Sequence, residues 1–317
     1  MGYYELPPFR PPTEAYSLLI RATRNCSWNH CEFCSMYKGS KLELRAVEEV
    51  KQDIITAKMI ADEIMEWAWK IGYGDRVGMV ARANGILWLN DGLVKNIFIG
   101  DSNSIIMKTE DFAQIISFLY QTFPHLERVT SYARAKTLVK KRPDELRTLR
   151  EAGLSRLHVG LETGDDELLE YVKKGATAEE MIIGGRKAIA AGFELSEYVM
   201  PGLGGKERWE QHARETARVL NEINPHFIRL RTLGLTPNTP LYEKNRRGEF
   251  TLQSWEELLI EVQTLIQNLE VTSQFVASDF ASNFYLPQVD GKLPEDKDRM
   301  LRALDNALEK AQSRARA

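Results

Sequence analysis

The chain's three cysteines, Cys26, Cys31 and Cys34, lie within nine residues of one another in the pattern C-x4-C-x2-C. Such short loops strain a disulfide, and an odd number of thiols cannot all pair, so a disulfide framework is a poor interpretation. Clustered thiols on a polar segment are instead typical of metal ligands or redox groups. Three thiolates can surround a [4Fe–4S] cluster and leave one iron without a protein ligand, free to bind a substrate or cofactor.

Other interpretations of this segment stay open. A zinc knuckle would take His30 or a more distant histidine as its fourth ligand, and the protein would then be a zinc-stabilised nucleic-acid-binding protein. His30 directly precedes Cys31, which makes simultaneous ligation by both awkward. A third interpretation is an iron–sulfur carrier with no chemistry of its own. Unliganded core thiols are disfavoured because Asn25, Asn29 and Glu32 make the segment polar.

The composition indicates a globular chain rather than a membrane protein or a strongly basic one. Its 317 residues are 43% apolar, which is enough to bury a full core. The net charge of −3 gives no broad basic field, so indiscriminate binding to nucleic acids or anionic membranes lacks its main driving force. No apolar run approaches the roughly 20 residues that span a bilayer. The first residues, MGYYELPPFRPPTEAY, have no signal-peptide pattern, and we expect a cytoplasmic protein.

Strands and helices alternate from residue 16 to residue 233, and these elements must position the cysteines. Six apolar runs predict strands, at residues 17–21, 93–99, 128–132, 157–161, 193–200 and 226–233. Such alternation favours a parallel sheet with right-handed crossovers. We therefore predict an α/β fold, a partial (β/α)6 TIM-like barrel, with functional groups at the carboxyl ends of the strands.

The predicted barrel domain covers residues 1–245 and is interrupted near 74–92. That glycine- and asparagine-rich stretch predicts a hairpin or an inserted loop. Residues 246–317 predict a largely helical C-terminal extension that packs on the barrel, with a helix over 255–268 and a short strand over 273–277.

Polar or glycine-rich residues follow four of the predicted strands. These segments are Gly100-Asp101, Ser131–Arg134, Glu162-Thr163 and Pro201–Gly205. Glycine after a strand usually marks only a turn. The occurrence of polar or glycine-rich residues after four separate strands is harder to explain by packing than a single occurrence would be. The last segment is not a Walker phosphate loop. That motif needs glycine at position 200 and serine or threonine at position 207, where this chain has methionine and glutamate.

The cysteine segment, with Phe33 directly before the last cysteine and a predicted strand before the loop, resembles the radical S-adenosylmethionine superfamily. The usual spacing there is C-x3-C-x2-C, and this chain has one more residue in the first spacer, as other variants do. The resemblance covers about residues 16–245. It is strongest to the group of oxygen-independent coproporphyrinogen oxidases and elongator-type radical proteins, which residues 236–242 and 278–283 also resemble.

The resemblance implies two cofactors. Cys26, Cys31 and Cys34 would bind a [4Fe–4S] cluster, and S-adenosylmethionine would bind the open iron. An external one-electron reductant of flavodoxin or ferredoxin type would drive cleavage of the sulfonium bond. The resulting 5′-deoxyadenosyl radical would abstract hydrogen from a small-molecule substrate, in a barrel that excludes water. A nucleic-acid partner is not expected.

By the same resemblance, two strand ends would bind the methionine part of the cofactor. Gly100, Asp101 and Ser102 occupy the place of a segment that holds the amino group. Arg134 occupies the place of an arginine that binds the carboxylate, to which its planar fork is suited. A plain Gly-Asp turn and a surface salt bridge are the alternatives at these two places.

The remaining implied contacts are to the adenosine part. Glu162 or Thr163 would contact the ribose or the amino group. Gly202 and Gly204 would let the backbone approach the adenine, close to Phe33. A tight turn between strand and helix explains the two glycines equally well.

The cysteine count limits the reaction. If all three bind one cluster, none is left for an auxiliary cluster or for donating a hydrogen atom, which disfavours sulfur insertion, methylthiolation and cysteine-dependent epimerisation. Oxidation or decarboxylation, rearrangement and adenosyl transfer are favoured instead. A tyrosine is an alternative hydrogen donor, and the candidates are Tyr37, Tyr132 and Tyr198. His158, among apolar neighbours on the fourth predicted strand, is interpreted as a core histidine.

Overall fold

The computed structural model describes residues 3–315 and is organised around an eight-stranded sheet. In chain order the strands are β1 (Leu18–Arg21), β2 (Thr23–Arg24), β3 (Glu43–Leu44), β4 (Asn96–Gly100), β5 (Arg128–Ala133), β6 (Leu154–Glu162), β7 (Glu194–Val199), β8 (Phe227–Leu230), β9 (Gln274–Val276) and β10 (Gly291–Lys292). The large sheet has the order β1-β4-β5-β6-β7-β8-β9-β10, and β2 pairs with β3 in a separate small sheet.

The pairing of the strands confirms the predicted fold class. Neighbouring strands from β1 to β9 run parallel, and β10 pairs antiparallel to β9. The six predicted strands correspond to β1 and β4 to β8, so the chain forms the predicted α/β partial barrel. The short strand predicted over residues 273–277 of the C-terminal extension corresponds to β9, and β10, which was not predicted, pairs with it at the edge of the sheet.

Helices connect the strands and cover the sheet. They are α1 (Val47–Lys70), α2 (Val77–Ala83), α3 (Thr109–Thr122), α4 (Ala135–Lys140), α5 (Pro143–Glu151), α6 (Asp166–Tyr171), α7 (Ala178–Ala190), α8 (Gly205–Ile223), α9 (Pro240–Arg246), α10 (Trp255–Asn268) and α11 (Lys297–Ala315). None of the helices in the described part of the chain is long and apolar enough to cross a membrane.

Apolar side chains explain why these segments become central strands. Leu18 and Ile20 in β1 and Ile97 and Ile99 in β4 are completely buried, as is typical of parallel strands that are covered on both faces. Helix α1 packs on β1 and α3 through a buried stripe with helical spacing, which includes Val50, Ile54, Ala57, Ala61, Ile64 and Ala68. The strands and helices therefore pack closely, and the functional residues lie at the ends of the strands.

The stretch 74–92, predicted as a hairpin or an inserted loop, contains a short helix that the prediction did not include. Gly74–Arg76 form a 3-10 turn that leads into α2. Val77, Val80 and Ala81 are buried at i, i+3 and i+4, the spacing of a helix that packs on a core. The glycines and asparagines on either side obscured this short apolar pattern.

Candidate active site

A cavity of about 350 Å³ lies at the carboxyl ends of the parallel strands, and Cys26, Cys31 and Cys34 all line it. Four of the nine predicted contacts to S-adenosylmethionine line the same cavity: Phe33, Ser102, Arg134 and Glu162. They come from the cysteine loop and from the ends of β4, β5 and β6, as expected for a parallel barrel.

The loop between β2 and β3 carries the cysteines and is shaped by its polar residues. Asn25 and Asn29 adopt left-handed conformations, with φ of 71° and 57°, which asparagine tolerates better than most residues. The side-chain amide of Asn29 donates to the carbonyl of Ser40 at 3.0 Å, and the ammonium group of Lys38 donates to the carbonyl of Cys31 at 2.8 Å. These hydrogen bonds hold the backbone of the loop in a turn around the three thiols.

The three thiols are free, and their surroundings differ. Burial tends to raise the pKa of Cys26, but hydrogen bonds from the Ser102 hydroxyl and the Trp28 amide, with help from Arg134, lower it overall. Burial raises the pKa of Cys31. The environment of Cys26 therefore favours the thiolate, which is the form that binds metals.

An iron–sulfur cluster and a single zinc ion require different groupings of their ligands. Within residues 3–315, no three Cys, His, Asp or Glu side chains are grouped so that they could hold one metal ion. The cysteines of an iron–sulfur cluster bind separate irons, so their sulfurs need not converge on one point. His30, the proposed fourth ligand of a zinc knuckle, is exposed and contacts the ring of Trp28 edge-on, at 4.9 Å between centroids.

Asp101 does not line the cavity but holds the start of the cysteine loop. Its Oδ2 atom accepts hydrogen bonds from Nη2 of Arg21 and from the backbone amide of Asn25, both at 2.7 Å. Its Oδ1 atom is buried and has no hydrogen-bond partner among the described residues. Ser102, the next residue, faces the cavity, and its hydroxyl lies 3.3 Å from the carbonyl oxygen of Asn25.

Arg134 presents a positive charge next to the thiols. Its guanidinium carbon lies 5.4 Å from the ring centroid of Trp28, and its Nη2 donates to the carbonyl of Lys174 at 3.0 Å. Burial lowers the pKa of Arg134, and negative charge on Cys26 and Cys31 opposes that shift. A guanidinium held in this way can bind a carboxylate in the cavity.

Glu162, at the end of β6, has a φ of 65°, a conformation that is uncommon for residues other than glycine. Its Oε1 accepts a hydrogen bond from Nζ of Lys174 at 3.0 Å, and both residues line the cavity. Gly160 makes room for this pair, because a Cβ there would lie 2.3 Å from Oε1 of Glu162 and 3.0 Å from Nζ of Lys174. Strained conformations of this kind cluster at functional sites.

Thr163 and Gly202 are not among the residues that line the cavity and belong instead to a buried network. The Thr163 hydroxyl lies 2.7 Å from Nδ1 of His212, whose Nε2 lies 3.1 Å from the carbonyl oxygen of Met200. The amide of Gly202 donates to Oε1 of Glu261 at 2.9 Å. The network ties the strand ends to α8 and α10.

Gly100 and Gly204 also lie outside the cavity lining, and close packing explains why they are glycines. A Cβ at Gly100 would lie 2.4 Å from Cβ of Pro7. A Cβ at Gly204 would lie 2.9 Å from the backbone carbon of Arg208, within the first turn of α8. Both positions therefore fit the interpretation as tight turns.

One end of the cavity is aromatic, which was not predicted: Tyr132 and Tyr198, named above as candidate hydrogen donors, line it together with His158 and Phe280. The ring of Tyr198 lies 6.0 Å from that of His158 and 5.9 Å from that of Phe280, measured between centroids. His158, predicted as a core histidine, is completely buried and still reaches the cavity. The available signal was the alternation along β6, where every second residue from His158 onward faces the cavity.

Comparison with known proteins identifies the family. The family model described as the radical SAM superfamily matches residues 20–218, which is more than half of the chain. The chain belongs to the radical SAM superfamily. The cofactors of this superfamily are a [4Fe–4S] cluster and S-adenosylmethionine.

Curated relatives agree with the subgroup that the sequence resembled. The heme chaperone HemW of Bacillus subtilis is 23% identical over 196 residues, which are 59% of this chain and 50% of that protein. A tRNA uridine(34) acetyltransferase of Methanocaldococcus jannaschii is 26% identical over 128 residues, which are 38% of this chain and 24% of that protein. The chain thus spans half or less of the length of these relatives.

Solved structures agree on the fold. The coproporphyrinogen III oxidase HemN of Escherichia coli, described as a radical SAM enzyme, matches with a TM-score of 0.52 and 18% identity. The match covers 84% of this chain and 52% of that one. At this identity the likeness concerns the barrel alone and leaves the reaction open.

Proposed function

We propose that this radical SAM enzyme binds its cluster through Cys26, Cys31 and Cys34 and acts on a small molecule held in the cavity. When bound, the cluster and S-adenosylmethionine supply a 5′-deoxyadenosyl radical for hydrogen abstraction. The observation that carries the proposal is that three free thiols share one cavity with Arg134 and Glu162.

Different residues of the cavity bind different parts of S-adenosylmethionine. Arg134 binds the methionine carboxylate, because a planar guanidinium pairs with both of its oxygens. The Ser102 hydroxyl and the Glu162 carboxylate accept hydrogen bonds from the amino group or the ribose. Phe33 offers an apolar face to the adenine. Asp101 acts indirectly, by fixing the backbone that enters the cysteine loop.

The other end of the cavity supports a small organic substrate. Tyr132, Tyr198 and Phe280 form an aromatic wall there, and Arg231, whose guanidinium carbon lies 5.7 Å from the ring centroid of Phe280, adds positive charge. Such a wall excludes water and holds the target carbon in line for abstraction. We favour oxidation or decarboxylation, rearrangement or adenosyl transfer, with an external one-electron reductant of flavodoxin or ferredoxin type.

Modification of tRNA is a second candidate function. It is favoured by one observation, the match to a tRNA uridine(34) acetyltransferase. That match covers 24% of the relative, so what the two proteins share is a core segment rather than the whole activity.

Anaerobic turnover tests the proposal. The protein is reconstituted with iron and sulfide, reduced with dithionite and given S-adenosylmethionine, and 5′-deoxyadenosine is measured by mass spectrometry. We expect product from the wild type and from Ser35→Ala, an exposed control beside the motif, and none from the triple variant Cys26→Ala, Cys31→Ala, Cys34→Ala.

Two other results would contradict the proposal. An intact cluster that yields no 5′-deoxyadenosine, with or without added tRNA or metabolite extract, would indicate a carrier. Zinc at one per chain in place of iron would indicate the zinc-stabilised alternative. Product that rises only when tRNA is added would favour the second candidate function.

A further inference from the structure

We propose that Tyr198 is a catalytic residue that donates a hydrogen atom to the substrate-derived radical, and that His158 and Glu14 are positioning residues for its hydroxyl. This inference rests on the radical chemistry proposed above. It selects one tyrosine among several in the cavity and gives it a defined proton partner.

Tyr198 is held with its hydroxyl next to an imidazole. It lines the cavity that contains the three thiols, and 7% of its surface is exposed. Its hydroxyl oxygen lies 3.4 Å from Nδ1 of His158. Its ring is packed between those of His158 and Phe280, which limits its rotation. The hydroxyl therefore has one defined neighbour in the wall and can still meet a molecule in the cavity.

The buried carboxylate of Glu14 lies beside the imidazole of His158. The imidazole Nε2 lies 3.4 Å from Oε1 of Glu14, an ion-pair distance without hydrogen-bond geometry among the described residues, and both side chains are completely buried. Glu14 also accepts a hydrogen bond from the Ser17 hydroxyl, and its Oε2 pairs with Arg128 at 3.2 Å. We assign the imidazole proton to Nε2, toward the carboxylate, which leaves the lone pair of Nδ1 for the hydroxyl of Tyr198.

The other two candidate tyrosines lack this arrangement. Tyr37 and Tyr132 also line the cavity, but within residues 3–315 neither hydroxyl has a hydrogen-bond partner. A phenol with an adjacent base can lose and regain its proton as its electron leaves and returns. Tyr198 has such a base, Nδ1 of His158, next to its hydroxyl.

In the proposed step Tyr198 loses a hydrogen atom, which is later restored as one electron and one proton. The O–H bond of Tyr198 breaks homolytically, a C–H bond forms on the substrate carbon, and a neutral phenoxyl radical remains. The step is favourable because a phenolic O–H bond is weaker than most alkyl C–H bonds. One electron from the external one-electron reductant and one proton passed through His158 then restore the phenol.

Turnover in D2O without substrate tests the donor. The hydroxyl of Tyr198 exchanges with solvent, so the 5′-deoxyadenosyl radical, lacking a substrate, takes deuterium from it. We expect monodeuterated 5′-deoxyadenosine from the wild type and from the control Tyr73→Phe, a change at an exposed tyrosine that does not line the cavity. We expect loss of the solvent-derived deuterium in Tyr198→Phe and a reduced fraction in His158→Gln.

A second readout needs no cofactor. Nitrogen–proton correlation spectra of the cofactor-free protein report the tautomer of each of its five histidines, and His158→Gln assigns the relevant signal. We expect His158 to carry its proton on Nε2. Its Nδ1 resonance should shift in Tyr198→Phe and stay in place in Tyr73→Phe, and the spectra also show that the variants fold.

The outcomes separate the two proposals. If the wild type forms no 5′-deoxyadenosine, the proposed function fails and this inference fails with it. If 5′-deoxyadenosine forms and its deuterium content is the same in Tyr198→Phe as in the wild type, the radical chemistry stands and the role of Tyr198 is overturned. A His158 proton on Nδ1 would overturn the assigned positioning.

Discussion

Lys174 and Glu162 form an ion pair in the cavity wall, with 3.0 Å between Nζ and Oε1. Both side chains are largely buried, with 12% and 14% of their surfaces exposed. Burial tends to lower the pKa of Lys174, but Glu162 and the thiolate of Cys31 outweigh burial and raise it. The pair joins the end of β6 to the segment after α6 beside one of the cysteines.

Removal of the lysine should destabilise the protein. Lys174→Met leaves the carboxylate of Glu162 without its partner, and we expect urea denaturation of the cofactor-free protein to show a loss of about 3 kcal/mol in the free energy of unfolding. Adding Glu162→Gln should restore most of this loss, because the uncompensated charge is then absent.

The matched control for that experiment is Lys136→Met. Lys136 lines the same cavity, but its pair with Glu180, at 3.4 Å, is more exposed to solvent. Such pairs contribute less than about 1 kcal/mol. Equal losses in the two lysine variants would show that burial of the Lys174–Glu162 pair has no special effect.

A methyl group at Gly160 should weaken the binding of S-adenosylmethionine. The added Cβ would lie 2.3 Å from Oε1 of Glu162, so the carboxylate must move away from the position in which we propose that it binds the cofactor. Isothermal titration of the reconstituted Gly160→Ala protein should give a Kd that is raised about tenfold, equivalent to about 1.4 kcal/mol.

Gly234→Ala provides the control, because a Cβ at that position meets nothing within 4 Å. Its Kd should equal that of the wild type. An unchanged Kd in Gly160→Ala would remove Glu162 from the set of cofactor contacts.

Local signals made the barrel predictable from the sequence. Apolar runs predicted six strands, and polar residues after them indicated which edge of the sheet carries the site. The resemblance to the radical S-adenosylmethionine superfamily then implied contacts by Phe33, Ser102, Arg134 and Glu162, and all four line the cavity. Their roles toward the cofactor stay predictions.

Partners that are distant in the chain were not predictable. Asp101 was expected to contact the cofactor, but its Oδ2 binds Arg21, 80 residues earlier. Gly202 was expected near the adenine, but its amide binds Glu261, 59 residues later, on a helix of the extension. No local pattern reports such contacts, because they depend on how the elements pack.

The buried pair of His212 and Glu261 should make stability depend on pH. Burial raises the pKa of Glu261 from 4.5 to about 8, although the hydrogen bond from the amide of Gly202 opposes this shift. Burial lowers the pKa of His212 from 6.5 to about 4. Both groups are therefore largely neutral near pH 7, although their side chains lie 3.4 Å apart.

The direction in which stability changes with pH follows from proton linkage. Between pH 4.5 and 8 the folded protein holds a proton on Glu261 that the unfolded chain releases, so this group lowers stability as the pH rises. His212 has the opposite effect, but only below about pH 6.5. From pH 6.5 to 8 the wild type should lose about 2 kcal/mol through Glu261.

Thermal unfolding of Glu261→Gln across that range checks the prediction. The glutamine oxygen can still accept from the amide of Gly202, so the pH-dependent loss should disappear while the fold is kept. Glu256→Gln, an exposed change on the same helix, should keep the wild-type pH dependence. The same pH slope in Glu261→Gln as in the wild type would assign the effect to other groups.

The central claim is that three cysteines hold a cluster with one iron open to S-adenosylmethionine. The most direct test is electron paramagnetic resonance of the reduced, reconstituted protein before and after S-adenosylmethionine is added. Wild type and Ser35→Ala should show a [4Fe–4S] signal that changes on addition, and Cys26→Ala, Cys31→Ala and Cys34→Ala should each lose that response. A wild-type signal that S-adenosylmethionine leaves unchanged would contradict the claim.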